Sequence, residues 1–125
     1  MKIITRDDLR QILEDWQCGK LSAEEVHDWA ESLYFPGAID YDDWENDENS
    51  VTNEVLAALD MMDMKLIISS DVQIYLEFLQ TPAGQFDKGY EKLDAALKSI
   101  DYRKRAKELK DDPLYGPYCR PLCWM

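Results

Sequence analysis

Apolar residues recur along the 125-residue chain at the spacing of an α-helix, and this periodicity constrains the fold more than any other feature. The clearest stripe advances in steps of 4, 3, 4 and 3 positions through Phe86, Tyr90, Leu93, Leu97 and Ile100. Side chains at these intervals share one helix face, whereas a half-buried strand would alternate at every second residue. The periodicity therefore predicts an all-α fold.

Shorter stripes of the same kind divide the rest of the chain into helices. Thr5 is placed to cap the first helix, and Gly19 can end it in the left-handed conformation. Ser22 and Glu25 form a capping box for the second helix. The stripes of the first four helices are Leu9, Ile12, Leu13 and Trp16; Val26, Trp29, Ala30 and Leu33; Val55, Leu59 and Met62; and Val72, Tyr75, Leu76 and Leu79.

The third and fourth helices are predicted to occupy the middle of the chain. The third runs over 51–64, and the fourth is apolar enough to be central to the core. Its cap is either Ser69 or Ser70, the latter boxed with Gln73. The run 65–69 could alternatively form a short strand, although no partner strand is evident.

These elements predict a single-domain bundle of five or six helices over residues 1–125. The final helical stripe extends to about Lys110, with a break near Asp101. Prolines, a glycine and aromatic residues in the last segment predict a tail that is not helical but packs across the helices. The expected organisation is an αα-hairpin at 1–35, an acidic loop at 36–50, helices at 51–110 and the packed tail at 111–125.

The net charge of −12 is distributed unevenly along the chain. Residues 1–64 hold 17 acids and 4 bases, whereas residues 65–125 hold 9 acids and 10 bases. Strong negative charge repels nucleic acids and anionic membranes, so neither is expected as a partner. Charge that served only to keep the protein soluble would not need to be concentrated in one half of the chain. The asymmetry therefore favours a positively charged protein partner.

Export and membrane insertion are not expected from the sequence. The start of the chain turns polar after four residues, and no run of about 18 apolar residues occurs. Cys18, Cys119 and Cys123 are an odd number without framework spacing, and we expect free thiols. The predicted location is the cytoplasm.

Residues 40–48 contain six carboxylates and no base, together with Tyr41 and Trp44. A polar loop of this length is explained as well by simple solvation. Long loops are nevertheless often functional, and amphipathic aromatics among charges are typical of an interface whose charges steer the approach. Carboxylates in such a row could also imitate the phosphates that a basic nucleic-acid-binding surface normally meets.

The same stretch partly resembles a calcium loop. Counting from Asp43 places Asp43, Glu45, Asp47 and Glu54 at the EF-hand ligand positions 1, 3, 5 and 12. Position 6, which requires glycine for a sharp turn, is Glu48. We therefore predict no specific metal site and no cofactor, and keep a response to divalent cations as an alternative.

Catalytic and zinc-binding constellations are weak. His27 is the only histidine, and its neighbours predict a partly exposed surface position rather than a catalytic base or a zinc ligand with Cys119 and Cys123. Glycine-rich phosphate loops are absent from the sequence. The basic run at 103–110 complements the negative end of a helix dipole. Enzymatic activity is not expected.

The segment Trp16-x-x-Gly19-x-Leu21-Ser22, followed by Val26 and Trp29-Ala30, resembles small acidic helical proteins of bacteria. Some of these are immunity proteins of polymorphic toxin and contact-dependent growth inhibition systems. The resemblance covers mainly the first 35 residues, together with size and charge. It implies a cytoplasmic, non-enzymatic antidote that binds and blocks a cognate toxin domain, frequently a basic nuclease. It assigns no binding residue.

The combined expectation is a binding protein that neutralises a basic toxin, with an intracellular adaptor that binds through the apolar tail as a further alternative. Composition places the partner-binding surface on the acidic loop, with acids of the second helix around it. The residues assigned to this surface are Asp40, Tyr41, Asp42, Asp43, Trp44, Glu45, Asp47, Glu48, Glu24, Glu25, Asp28 and Glu31.

Overall fold

A computed structural model describes residues 2–33, 39–46 and 48–123, with side chains through Cys119. Three of the sequence-based predictions fall outside these residues. They concern Pro36-Gly37, which as helix breakers are predicted to end the second helix, the role of Asp47 and the thiol of Cys123.

The described residues form seven α-helices and four short strands. The helices are α1 (Arg6–Gln17), α2 (Ala23–Leu33), α3 (Val51–Asp60), α4 (Val72–Leu79), α5 (Phe86–Lys98), α6 (Tyr102–Leu109) and α7 (Gly116–Cys123). The strands are β1 (Lys2–Ile4), β2 (Ile39–Tyr41), β3 (Trp44–Glu45) and β4 (Asn49–Ser50). The fold is therefore mainly α-helical, as predicted, but five or six helices was too few.

The additional helix is α7, which corrects the prediction of a non-helical tail. Its first turn contains Pro117, where the missing N–H would have had no partner within the helix. Within the part of the tail whose side chains are described, Tyr115 and Cys119 are buried and pack on the core. The Tyr115 hydroxyl donates to the carbonyl oxygen of Ile67.

The first two helices begin as the sequence predicts. Thr5 accepts a hydrogen bond from the amide of Asp8, whose carboxylate accepts one from the amide of Thr5. Ser22 and Glu25 make the same reciprocal pair before α2. Gly19 follows α1 with a φ of 85°, a conformation that costs glycine little.

The link between α3 and α4 differs from the prediction. Helix α3 ends at Asp60, and a series of turns leads into a 3₁₀-helix at Ser69–Asp71, so 65–69 is not a strand. Neither Ser69 nor Ser70 caps α4. Instead the Asp71 carboxylate accepts a hydrogen bond from the amide of Ile68 at 3.0 Å.

One hydrophobic core runs through the helices, and α4 is central to it as predicted. Helix α4 packs against α1, α3 and α5, while α3 also packs against α1 and α2. The predicted inner-face residues of α3 are all buried. In α5 only Phe86 and Leu93 of the predicted stripe are buried, and Tyr90 is 42% exposed.

The break at Asp101 is confirmed, since its carboxylate accepts a hydrogen bond from the amide of Lys104 and caps α6. Arg105, in the basic run, does more than complement a helix dipole. Its guanidinium makes a bidentate ion pair with the buried Asp71 carboxylate, at 2.6 and 3.0 Å. It also donates to the carbonyl oxygen of Leu66 at 3.1 Å. This pair fastens α6 to the start of α4.

The strands correct the prediction of an irregular loop at 36–50. β1 pairs in parallel with β2, with Ile3 opposite Asp40 and Ile4 opposite Tyr41. Ile4 and Tyr41 face the core, while Ile3 on the other face is exposed. β3 and β4 form an antiparallel hairpin that pairs Trp44 with Ser50.

The first prediction concerns the Asp71–Arg105 pair. Asp71→Ala should lower the free energy of unfolding by about 3–5 kcal/mol, because it leaves a guanidinium buried without its counter-charge. Urea unfolding measures the change. The control is Asp94→Ala, which removes an exposed ion pair with Lys98 and should leave the midpoint near that of the unmodified chain. Equal effects of the two substitutions would contradict this role.

The second prediction concerns Gly89, the fourth residue of α5. A Cβ there would overlap the side chain of the buried Thr81 and lie 2.9 Å from its Cβ. Gly89→Ala should therefore lower the free energy of unfolding by about 1–3 kcal/mol, although alanine is the better helix former. Ala95→Gly in the same helix measures the propensity effect alone. Stabilisation by Gly89→Ala would show that α5 does not approach Thr81 so closely.

Candidate functional site

The described residues of the acidic segment, 40–46 and 48, are a structured part of the fold, and Asp43 is the residue that fixes them. The Asp43 carboxylate accepts hydrogen bonds from the Ser50 hydroxyl and from both the amide (3.1 Å) and the hydroxyl (2.9 Å) of Thr52. It also receives the Arg6 Nε–H at 3.0 Å. Ser50 and Thr52 are buried at the start of α3. Asp43 thus joins the segment to α1 and to α3.

These bonds determine the ionisation of Asp43. Burial raises the pKa of the Asp43 carboxyl, but hydrogen bonds from Ser50, Thr52 and Arg6 together outweigh burial. The pKa of Asp43 consequently lies below its ordinary value of 3.8. The carboxylate is therefore charged under ordinary conditions and acts as an internal acceptor, and only 14% of this side chain of the predicted partner-binding surface is exposed.

Arg6 extends this connection to the far end of α4. Its Nη1 donates to the carbonyl oxygens of Leu79 at 2.9 Å and Thr81 at 2.6 Å. Carbonyl groups in the last turn of a helix lack partners within the helix, so the guanidinium satisfies groups that would otherwise need water. One arginine therefore holds α1, the acidic segment and the end of α4 together.

Glu45 is the second carboxylate with an internal role. Its Oε1 accepts a hydrogen bond from the amide of Phe86 at 3.2 Å. Phe86 is the first residue of α5, where the amide lacks a partner within the helix and negative charge is favoured. Glu45 therefore acts as a cap supplied from 41 positions earlier in the sequence.

Asp40 and Tyr41 hold Trp44 in place. The indole Nε1–H of Trp44 donates to Asp40 Oδ1 at 2.9 Å, and that oxygen also accepts from the amide of Tyr41. Hydrogen bonds from Trp44 and Tyr41 lower the pKa of the Asp40 carboxyl against a raising effect of burial. The Tyr41 and Trp44 rings meet edge to face, with centroids 5.7 Å apart.

The two aromatic residues that the sequence predicts as anchors for a partner differ in how much of each is exposed. Tyr41 is 8% exposed and belongs to the core, whereas Trp44 is 40% exposed. Among the described carboxylates of the segment, Asp42 and Glu48 are exposed. Within the described part of the acidic segment, these two acids and Trp44 are the predicted contact residues that remain accessible to a partner.

The acids of α2 are exposed as predicted, and two of them lie close to His27. Asp28 and Glu31 flank His27, whose Nε2 lies 3.1 Å from the carbonyl oxygen of Asp60 and 3.6 Å from carboxylate oxygens of both Glu31 and Asp63. Glu24 and Glu25 lie in the first turn of the helix.

His27 is 9% exposed, so its prediction as a partly exposed surface residue was wrong. It packs between α2 and the end of α3, and the carbonyl of Asp60 provides its polar partner. The sequence does contain a clue, because Glu31 lies four positions after His27 on the same helix face. Asp60 and Asp63 come from a distant part of the chain and could not be anticipated from spacing.

The part of the chain that the structure describes contains no group of three or more histidine, cysteine or carboxylate side chains arranged to hold a metal ion. In addition, Asp43, the first ligand of the hypothetical calcium loop, is surrounded by Arg6, Ser50 and Thr52. Cys18 is an exposed free thiol.

Comparisons with known proteins yield no relative: no protein-family model, no curated protein and no solved structure matches the chain. Within 2–33, 39–46 and 48–123, no helix has the length and apolar character needed to cross a membrane.

The third prediction follows from the lowered pKa of Asp43. Its ionised form contributes stability above its unfolded pKa, near 3.8, and this contribution is lost as the pH falls through the lower folded value. The difference in free energy of unfolding between the unmodified chain and Asp43→Asn should therefore shrink between about pH 6 and about pH 3. Urea unfolding across this range measures it.

Glu91→Gln provides the control, since Glu91 is an exposed acid on α5. This substitution should change stability little at either end of the pH range. A difference for Asp43→Asn that is independent of pH would mean that the ionised carboxylate does not stabilise the fold.

Proposed function

We propose that the chain is a non-enzymatic, cytoplasmic binding protein that neutralises a basic protein, most specifically an immunity protein directed against a toxin domain such as a nuclease. The observation that supports this most is the division of the acidic segment between internal and exposed groups. Asp43 and Glu45 fix the backbone, while Asp42, Trp44 and Glu48 face outward.

A fixed backbone favours binding because ordering a mobile loop on association costs free energy. The outward groups combine one large aromatic side chain with carboxylates, which is typical of an anchor surrounded by steering charges. The excess of negative charge in residues 1–64 adds a longer-range attraction for a basic partner. The resemblance of the first 35 residues to immunity proteins agrees with this proposal.

The two alternatives have less support. A cation-responsive loop would need Asp43 as its first ligand, and that carboxylate already receives four hydrogen bonds. An adaptor that binds through the tail would need apolar side chains to be accessible there. Two of the described tail residues, Tyr115 and Cys119, are instead buried, whereas Tyr118 is exposed.

The fourth prediction tests the proposal by affinity capture. The immobilised chain, incubated with lysate of the cells that produce it, should retain a basic protein at about 50 mM salt and release most of it at about 500 mM. Asp42→Asn combined with Glu48→Gln should weaken binding of that protein about three- to tenfold, because two exposed charges of the interface are lost.

The matched control combines Glu91→Gln with Glu108→Gln, which removes the same charge from exposed positions of α5 and α6. It should leave the affinity nearly unchanged. The captured protein is then expressed with and without the chain, and its toxicity and nuclease activity should fall when the chain is present. Failure to retain any basic protein would reject the proposed function.

A further inference from the structure

An open cleft of about 530 Å³ lies beside the exposed Trp44. One wall is the segment from Asp42 to Asn46, and the other is the turn at Ala83 and Gly84 between α4 and α5. Asn46 and Gly84 both have positive φ values, of 55° and 82°, which shape the two turns that border the cleft. The cleft is thus formed by parts of the chain that are about 40 residues apart.

The Trp44 ring is held at this cleft before any partner arrives. Its indole N–H is bonded to Asp40, and its ring packs edge to face on Tyr41. Tyr41 is in turn part of the core and of the β1–β2 pair. An aromatic ring fixed in this way loses little conformational freedom when a ligand stacks on it.

The charges in the cleft are predominantly negative. Asp42 is exposed, and no described side chain forms an ion pair with it. Glu45 uses one oxygen for the amide of Phe86, which is neutral, so its charge persists. Among the described residues that line the cleft, Arg6 is the one base, and it is neutralised by Asp43 and donates to two carbonyl oxygens. Of the same described residues, the carboxylates of Asp42 and Glu45 therefore remain uncompensated beside an indole ring.

We infer that this cleft is a receptor for an arginine side chain of the partner. The guanidinium would stack on Trp44 and donate hydrogen bonds to the Asp42 carboxylate, with the 83–84 turn closing the other side. This inference rests on the proposed binding function and identifies the chemistry by which the same surface recognises its partner.

Arginine fits this cleft better than lysine for a geometrical reason. A guanidinium is planar, so it can lie flat on an aromatic ring while its edge donates two parallel hydrogen bonds to a carboxylate. A lysine ammonium is compact and strongly hydrated, and it offers no plane for stacking. The cleft therefore favours arginine over an equal charge on lysine.

The fifth prediction is tested with a hexa-arginine peptide and a hexa-lysine peptide, each titrated into the ¹⁵N-labelled chain at low salt. The indole N–H signal of Trp44, assigned by its loss in Trp44→Leu, and the amide signal of Gly84 should shift with hexa-arginine. The arginine peptide should bind at least about threefold more tightly than the lysine peptide. Trp44→Leu should reduce this preference to near unity.

Two further variants separate this inference from general effects on the fold. Ala83→Phe fills the cleft from the opposite wall without removing any group that holds Trp44, and it should abolish the preference for arginine. Tyr118→Leu, which removes an exposed aromatic residue of α7, should leave it intact.

Equal binding of the two peptides, no binding of hexa-arginine, or binding that leaves the Trp44 and Gly84 signals unchanged would overturn the inference. The proposed function would survive those results if a basic protein were still captured and released by salt. The proposed function would be rejected separately if no basic protein were captured, whatever the result of the peptide titrations.

Discussion

The ion pair between Arg6 and Asp43 is the contact on which the organisation of the acidic region depends. Asp43 receives hydrogen bonds from the first turn of α3, and Arg6 satisfies carbonyl groups at the end of α4. Three helices and the acidic segment therefore meet at two side chains. Because the pair is largely shielded from water, with Asp43 14% exposed, its hydrogen bonds are stronger than those of an exposed pair.

This pair explains how a strongly acidic segment can be ordered at all. Six carboxylates within nine positions repel one another, and an unsupported loop would relieve the repulsion by remaining extended. The negative charges of Asp43 and Glu45 are instead each stabilised by a hydrogen-bond donor from elsewhere in the fold. The exposed Asp42 is then held in the cleft beside Trp44, as the proposed recognition of a basic partner requires.

The sequence predicted the parts of the fold that depend on local spacing. Helices α1 to α6, the caps at Thr5 and Ser22 and the break at Asp101 all arise from residues within a few positions of one another. The tail helix α7 was missed because Pro117 was counted as a helix breaker, although the first turn of a helix tolerates it. Strands of two or three residues are too short to show periodicity.

The candidate site was harder to predict because its decisive contacts are distant in sequence. Arg6 and Asp43 are 37 positions apart, and Glu45 and Phe86 are 41 positions apart. Composition alone marked residues 40–48 as unusual, but it could not distinguish carboxylates that support the backbone from those that face solvent. It also treated Tyr41 and Trp44 alike, whereas the parallel pairing of β1 with β2 buries Tyr41.

Hydrogen exchange of individual N–H groups provides the most direct test of whether the acidic segment is a fixed surface. The groups to follow by NMR are the amide of Thr52, bonded to Asp43, and the indole N–H of Trp44, bonded to Asp40. We expect both to exchange much more slowly than in an unstructured peptide, with Thr52 approaching the protection of the core of α3. Exchange of both at the rate of an unstructured peptide would show that residues 40–48 form a mobile loop.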